Sequence, residues 1–252
     1  MSRLAWLLAT CVCAQDVSQQ QATLGHIREV NLERAAALPS FVADEVAVRY
    51  TSPHVDPPQW KLMDTIESEI SVRGADFTRQ NVRIDGKPWT KPNFPNFTWS
   101  VDFGGELKPL FDPECKTEIV FDRLSEALGK PALIYNFHAP RDGCFGAFVI
   151  KNGIFSRLKT YRPPWTGRFV VEDPGGAVIE VQEEAREFPP GFGSDPLTET
   201  IRWDHVKIGG ESYLLPVSQE IFGGFVHADL WHVVVAFKNH RHFEASSNVT
   251  FH

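Results

Sequence analysis

The segment from Trp60 to Arg73, W-K-L-M-D-T-I-E-S-E-I-S-V-R, most constrains the fold because its side chains alternate in character. The odd-numbered positions are mostly polar, and the even-numbered positions carry the apolar residues Trp60, Leu62, Ile66, Ile70 and Val72. We call each such set of alternate positions a parity of the strand. Because successive side chains of a β-strand point to opposite faces, this pattern predicts one long strand with an apolar and a solvated face. Such a strand is typical of a large antiparallel sheet whose apolar face is covered by a second sheet, a helix or a ligand.

The remaining pattern extends this prediction to the whole chain. Helical spacing of apolar residues from Leu24 to Leu38 predicts an N-terminal helix that Pro39 ends. From Phe41 onward, short alternating runs are separated by turn residues such as Asp85-Gly86 and Gly209-Gly210, without intervening helices. We therefore predict a mainly β fold: a large, curved antiparallel sheet (half-barrel) with the N-terminal helix packed on its concave face.

The first residues have the build of a secretory signal peptide. Arg3 precedes the apolar run Leu4 to Cys13, and small residues lead to a cleavage point after Ala14. A buried N-terminal helix is the alternative, but a polar run follows at once. The apolar run is too short to cross a membrane, so we expect export to the periplasm or beyond, without a transmembrane span. Residues 1–14 are predicted as the signal peptide and residues 15–252 as a single domain.

Two cysteines, Cys115 and Cys144, remain once Cys11 and Cys13 leave with the signal. In an oxidising compartment they can form a disulfide that closes a loop of about 30 residues, worth about 3 kcal/mol in the chain-entropy model. Two separate thiols are the alternative, because sequence alone does not bring two Cα atoms within bonding range.

The composition excludes one class of partner. The chain has 252 residues and a formal net charge of −7, and its lysines and arginines form no cluster. Because an acidic surface repels phosphate backbones, we expect no nucleic-acid partner.

Residues 88–113 form the longest irregular segment, rich in aromatic residues among Pro, Asn and Gly. Loops of this length usually either act on a ligand or pack over an open end of the fold. A mobile lid and a fixed plug are both compatible with the composition. The plug is favoured, because an exposed segment with so many aromatics would promote aggregation.

Residues that could support catalysis are few. His240 and His242 have the spacing of two zinc ligands on one strand, but alternation puts them on the solvated face with Lys238, so no metal or other cofactor is predicted. The acidic pairs Glu67/Glu69 and Glu183/Glu184 would serve acid–base chemistry only if they were desolvated in a cleft. Asp64 and Ser68 interrupt the apolar parity of their strand. They mark either a polar contact on that face or a bulge that turns them outward.

Several turn and strand signatures carry a resemblance to known proteins; they are Leu38-Pro39-Ser40-Phe41, Phe111-Asp112-Pro113, Val206 to Gly210 with Tyr213 to Pro216, and Arg241-His242-Phe243. In these the chain resembles a family of uncharacterised secreted bacterial β-rich proteins. In outline, a helix followed by a long meander also resembles the periplasmic lipoprotein-carrier (LolA/LolB-like) superfamily, in which an incomplete barrel wraps a helix and shelters acyl chains. That second resemblance is architectural, and no ligand-contact residue of the carriers is matched.

These observations favour a non-enzymatic function, the binding of an apolar ligand, a lipid or an acylated envelope protein, between sheet and helix. The predicted lining residues are Trp60, Leu62, Ile66, Ile70, Trp231, Val233, Val235 and Phe237. The same residues would equally form a filled core. A cell-envelope protein-interaction domain is the second hypothesis, and a metal- or carboxylate-dependent hydrolase ranks last.

Overall fold

The computed structural model describes residues 4–74, 76–91, 107–146, 148–151, 158–188, 197–224 and 229–243, with side chains except in residues 4–18, 148–151 and 158–160. Within these ranges the regular elements are two α-helices, a short 3-10 helix and a series of β-strands. They are α1 (Leu4–Ala36), β1 (Phe41–Ser52), β2 (Lys61–Arg73), β3 (Asp76–Ile84), β4 (Lys87–Pro88), α2 (Leu107–Phe111), the 3-10 helix (Pro113–Cys115), β5 (Glu118–Ala127), β6 (Lys130–Ala139), β7 (Phe148–Lys151), β8 (Leu158–Tyr161), β9 (Trp165–Glu172), β10 (Val178–Ala185), β11 (Leu197–Ile208), β12 (Glu211–Gly224) and β13 (Leu230–His242).

One antiparallel sheet contains eleven of the described strands, in the order β4-β3-β2-β1-β13-β12-β11-β10-β9-β6-β5. Its end strands β4 and β5 do not pair with each other, so the sheet is open. The first and last of the described strands, β1 and β13, pair near its middle. Strands β7 and β8 form a separate two-stranded sheet. The predicted fold class, a mainly β protein with a large open antiparallel sheet and an N-terminal helix, is confirmed.

Helix α1 ends at Ala36, just before the predicted stop at Pro39. It begins at Leu4, so its backbone runs through the predicted signal peptide, and that peptide stays a prediction. Ile27 is fully buried, and Leu24 and Leu38 pack against the core as their spacing predicts. No helix of the described residues is long and apolar enough to cross a membrane.

Strand β1 defines the two faces of the sheet. Phe41, Ala43 and Ala47 are fully buried on one face, which we call the concave face, and they belong to the main core. The intervening residues, such as Val46 and Val48, lie half-buried on the opposite face, which we call the outer face. The core draws residues from both helices and from most strands of the sheet, because each strand contributes every second side chain to it.

The predicted hairpin turns hold in the structure. Asp85 and Gly86 both adopt positive φ, 48° and 73°, between β3 and β4, as a two-residue hairpin turn requires. Most of the aromatic segment, residues 92–106, lies outside the described residues. Helix α2 is described, and its residues Leu107, Leu110 and Phe111 are buried.

Candidate functional site

The centre of the concave face carries buried apolar residues on the two strands that flank β1. Ala47 lies in register between Ile66 of β2 and Val235 of β13. Five of the predicted lining residues belong to this group, which we call the apolar track: Ile66, Ile70, Val233, Val235 and Phe237. Each is at most 3% exposed. All five belong to the main core, so other parts of the protein cover the track in this structure.

Trp60 and Leu62 do not lie on the apolar track, and the alternation predicted to run unbroken from Trp60 to Val72 is wrong at its start. Arg49 pairs with Asp64 but Tyr50 pairs with Leu62, so Met63 is an extra residue, a β-bulge. The bulge reverses the alternation and turns Leu62 to the outer face, where it is 62% exposed. Its side chain cannot line the concave cleft.

Trp231 differs from the other predicted lining residues of β13. Its indole covers Gly223 of the neighbouring strand β12, where an added Cβ would lie 2.7 Å from the ring. The indole is half-buried and packs against the edge of the core. The glycine is needed there because any side chain would displace the indole.

Helix α1 covers the concave face beside the turn between β9 and β10. The side-chain amide of Asn31 donates to the carbonyl oxygen of Gly176 at 2.8 Å, and its oxygen accepts from the backbone N–H of Val178 at 2.9 Å. Asn31 is fully buried, so these two bonds satisfy an amide that burial would otherwise penalise. They fix the helix at one hairpin of the sheet.

Arg34 makes the second attachment of α1 to the same hairpin. Its guanidinium donates to the carbonyl oxygen of Val178 at 2.8 Å and lies over the ring of Trp203, 5.6 Å from the centroid. Burial lowers the pKa of Arg34 to about 10, partly offset by the nearby charge of Glu172. The guanidinium therefore stays protonated at neutral pH. On the α1 side, the described hydrogen bonds between this helix and the sheet all involve side chains.

Two buried ion pairs stand among the apolar residues of β1, β2 and β3. Arg79 holds Glu45 through two hydrogen bonds of 2.6 and 2.7 Å, and the Ser68 hydroxyl donates to the same carboxylate at 2.5 Å. Arg49 makes a similar bidentate contact with Asp64, in which its Nε and Nη2 donate to the two carboxylate oxygens at 2.7 and 2.6 Å. Asp64 and Ser68, the residues that interrupt the apolar parity of β2, therefore make polar contacts on the concave side and are not turned outward.

A pair of like charges lies on the other half of the concave face, and we call it the carboxyl pair. Glu183 of β10 and Glu199 of β11 are directly opposite in register. Burial raises the pKa of Glu183 well above its usual value, with a further contribution from Glu199. Burial also raises the pKa of Glu199, against a hydrogen bond from the side-chain amide of Gln219. The sequence suggested Glu184 as the partner of Glu183, and the structure replaces it with a residue from the next strand.

The sequence contains a signal that could have identified this pair. Glu183 shares its parity with Val181 and Ala185, which are buried in the core, and Glu199 shares its parity with Leu197 and Ile201. A glutamate at a position where the alternation demands an apolar residue is therefore a candidate buried carboxyl.

Aromatic rings gather on the outer face around the bulge of β2, and we call them the outer aromatic cluster. The ring of Trp60 lies 5.8 Å from that of Phe222 and 5.5 Å from that of His232, and Tyr50 lies 5.8 Å from His232. Trp60 is 37% exposed and Leu62 lies opposite Tyr50. The two residues removed from the apolar track thus join an exposed aromatic surface.

The histidines near the end of β13 are placed differently from the prediction. An irregularity in the pairing with β1 follows Lys238, and Asn239 has a positive φ of 53°. His240 is half-buried, its ring lies 5.5 Å from that of Phe41, and its Nε2 is 3.2 Å from the carbonyl oxygen of Pro216. Burial lowers the pKa of His240. The prediction that His240 is solvated together with Lys238 is therefore wrong.

Two surface depressions lie near the described strands, one of about 600 Å³ beside His240 and His242 and one of about 250 Å³ beside Ala127 and Val170. Neither is lined by a residue of the apolar track or by the carboxyl pair. Among the described residues, no group of three or more His, Cys, Asp or Glu side chains is arranged to hold a metal ion.

Cys115 and Cys144 form a disulfide, with a Cα–Cα distance of 4.9 Å. Of the two states that the sequence left open, the structure contains the bridged one. The bond joins the 3-10 helix before β5 to the segment after β6, so it holds the two ends of the β5–β6 hairpin together.

No family model and no curated relative matches the chain. Among solved structures, the chain is similar to a LolA superfamily protein from Nitrosomonas europaea, with 12% identity, 89% of this chain and 95% of that chain covered, and a TM-score of 0.34. It is also similar to a chain of the MucA/MucB complex of Pseudomonas aeruginosa, with 12% identity, 87% and 99% covered, and a TM-score of 0.24. At these TM-scores neither likeness bears on the function of the chain.

Proposed function

We propose that this chain is an exported, non-enzymatic protein that binds an apolar molecule, a lipid or the acyl chain of an envelope protein, between the concave face and helix α1. The observation that carries the proposal is the apolar track on the concave face, together with a helix whose described hydrogen bonds to the same sheet all involve its side chains. Its five residues are buried on the two strands that flank β1, and the described hydrogen bonds between helix and sheet come from Asn31 and Arg34.

An open sheet allows this surface to be uncovered without separating any of the paired strands. Lifting α1 from the hairpin breaks the bonds of Asn31 and Arg34 but none of the backbone bonds that join the strands. A ligand chain that takes the place of the helix on the track replaces one apolar contact with another, so the hydrophobic free energy is largely retained. The helix acts as a cover whose removal admits the chain.

Loosening the helix tests this proposal. Asn31→Ala removes the two bonds to Gly176 and Val178, so we expect the free energy of unfolding to fall by about 1–3 kcal/mol. The same change raises the fraction of molecules with an uncovered track, so a fluorescent fatty alcohol should bind roughly three- to tenfold more tightly. Protein that is reproducibly free of extractable lipid by mass spectrometry, and takes up no fatty alcohol as wild type or Asn31→Ala, would refute the proposal.

A matched pair of variants on β2 locates the ligand. Ile66→Ala removes a side chain of the apolar track, and Leu62→Ala removes one from the outer face of the same strand. We expect the affinity for the fatty alcohol to change in the Ile66 variant and to stay within about twofold in the Leu62 variant, since only the Ile66 side chain lies on the concave face. Equal effects of the two variants would place the ligand elsewhere.

The outer aromatic cluster supports a second candidate function, the binding of a protein partner on the outer face. Exposed aromatic and aliphatic side chains such as Trp60 and Leu62 are typical of protein-binding surfaces. A pull-down from envelope extracts with wild type and Leu62→Asp tests this candidate. One dominant partner that is lost in Leu62→Asp supports it, and a partner retained by the variant contradicts it.

A further inference from the structure

The carboxyl pair is unusual because it places two acidic side chains opposite each other inside the fold. Glu183 and Glu199 are in register on adjacent strands, and the parity of Glu183 is that of the core residues Val181 and Ala185. Like charges directly opposite each other on a sheet are destabilising, and burial raises that cost further. A purely structural position would carry an apolar residue or an acid with its own arginine, as Glu45 has in Arg79.

A second observation points to a missing hydrogen-bond donor. Glu183 is only 6% exposed, and its Oε2 has no hydrogen-bond partner among the described residues. Buried carboxyl oxygens are nearly always paired, so an unpaired one marks a place where a donor from outside the chain can bind. Gln219 donates to Glu199 and leaves this oxygen of Glu183 unsatisfied.

The carboxyl pair lies in one row with the apolar track. Glu199 is opposite Ile221 of β12, and Ile221 is opposite Val233 of β13. Neighbouring strands are about 4.8 Å apart, so Glu199 lies about 10 Å from Val233 across the concave face. A molecule whose apolar chain lies on the track can therefore reach the carboxyl pair with a polar group at one end.

We propose that the carboxyl pair binds the cationic ammonium head of an amphiphile whose apolar chain occupies the track. This inference rests on the proposed function and specifies the class of its ligand. An ammonium group brings three N–H donors and one positive charge. It satisfies the free oxygen of Glu183, and one shared proton on the pair leaves the buried assembly neutral. A neutral alcohol brings one donor, and a carboxylate adds a third negative charge to the site.

Amphiphiles with one chain length and different heads test the assignment. Decylamine, decanol and decanoate are titrated into wild-type protein at pH 7 by calorimetry, below the concentrations at which they form micelles. The amine is protonated at this pH, as lysine is. We expect decylamine to bind at least about tenfold more tightly than decanol, the size of one charged hydrogen bond, and decanoate to bind most weakly.

Variants of the pair provide the second measurement. Glu183→Gln and Glu199→Gln keep the shape of the side chain and remove its charge, so the preference for decylamine over decanol should fall to within about threefold. The control is Glu184→Gln, next in sequence but on the outer face, where its carboxylate pairs with Arg186. The control should keep the wild-type preference.

The outcomes separate this inference from the function on which it rests. Equal affinity of wild type for the three heads overturns the assignment of an ammonium ligand and leaves the binding of apolar chains standing. A preference for decylamine that survives in both Gln variants likewise overturns the role of the carboxyl pair. Failure of all three amphiphiles to bind overturns the proposed function, and the ligand class with it.

Discussion

On the β1–β3 half of the concave face the carboxylates of Glu45 and Asp64 each meet an arginine, whereas on the β10–β12 half the buried Glu183 and the half-buried Glu199 meet each other. Glu45 with Arg79, like Arg49 with Asp64, makes two short hydrogen bonds to a partner of opposite charge. Glu183 faces another glutamate and keeps one oxygen without a described partner. In the first half the charge of each carboxylate is compensated by an arginine of the chain. In the second half the charge of the carboxyl pair is compensated only by a proton or a cationic ligand.

Removing the arginine of a complete pair should have the largest effect. Arg79→Leu takes two N–H donors from a carboxylate whose side chain is fully buried, so we expect unfolding in urea to show a loss of about 3–5 kcal/mol. The double variant Glu45→Leu/Arg79→Leu removes both charges and should recover most of that loss. A single variant that loses less than about 1 kcal/mol would show that this half does not depend on charge compensation.

Neutralising Glu183 of the carboxyl pair should raise the free energy of unfolding, by an amount that depends on pH. Because burial raises the folded-state pKa of Glu183 above its unfolded value, the wild type is favoured at low pH and loses stability as the pH rises through that raised pKa. Glutamine does not ionise, so Glu183→Gln should be more stable than wild type at pH 8 by roughly 1–3 kcal/mol. The difference should shrink toward pH 4, where both carboxyls are protonated in the folded state.

Thermal unfolding of both proteins between pH 4 and pH 8 measures this difference. Glu184→Gln, on the outer face of the same strand, is the control and should not show the same trend. A pH-independent difference between wild type and Glu183→Gln would mean that Glu183 titrates normally, and the contrast between the two halves would disappear.

An ion pair on the outer face of the carboxyl-pair strands should have the smallest effect. Arg202 of β11 and Glu180 of β10 are 2.8 Å apart, with side chains 47% and 22% exposed. Because water screens such a pair, Arg202→Leu should cost less than about 1 kcal/mol, and less at high salt. A cost comparable to that of Arg79→Leu would show that burial does not explain the difference between these sites.

Local chemistry made the fold predictable from the sequence. The alternation of apolar residues located most of the strands, and turn residues such as Asp85 and Gly86 located the hairpin between β3 and β4. Pro39 correctly marked the end of α1. The positions of the bulges did not follow from the sequence, because an extra residue such as Met63 has no composition of its own and is fixed by the register of the neighbouring strand.

The candidate site was predictable only in its apolar part. Ile66 and Val235 follow from alternation within single strands. The buried charges do not, because their partners come from other strands: Arg79 reaches Glu45 from 34 residues away, and Glu183 meets Glu199 through sheet register. The position of a residue in the alternation of its strand shows that its carboxyl points inward. Only the pairing of the strands in the sheet determines whether that carboxyl meets an arginine or another carboxyl.

The disulfide between Cys115 and Cys144 has a consequence for the exposed edge of the sheet. Among the described strands β5 is an end strand, and the free side of an edge strand can pair with another extended chain. Because the bond ties the two ends of the β5–β6 hairpin into a covalent ring, a β5 strand that peels away stays tethered beside its own partner. The tethered β5 then pairs with β6 again faster than a strand of another molecule can take its place. The disulfide therefore disfavours strand exchange between molecules.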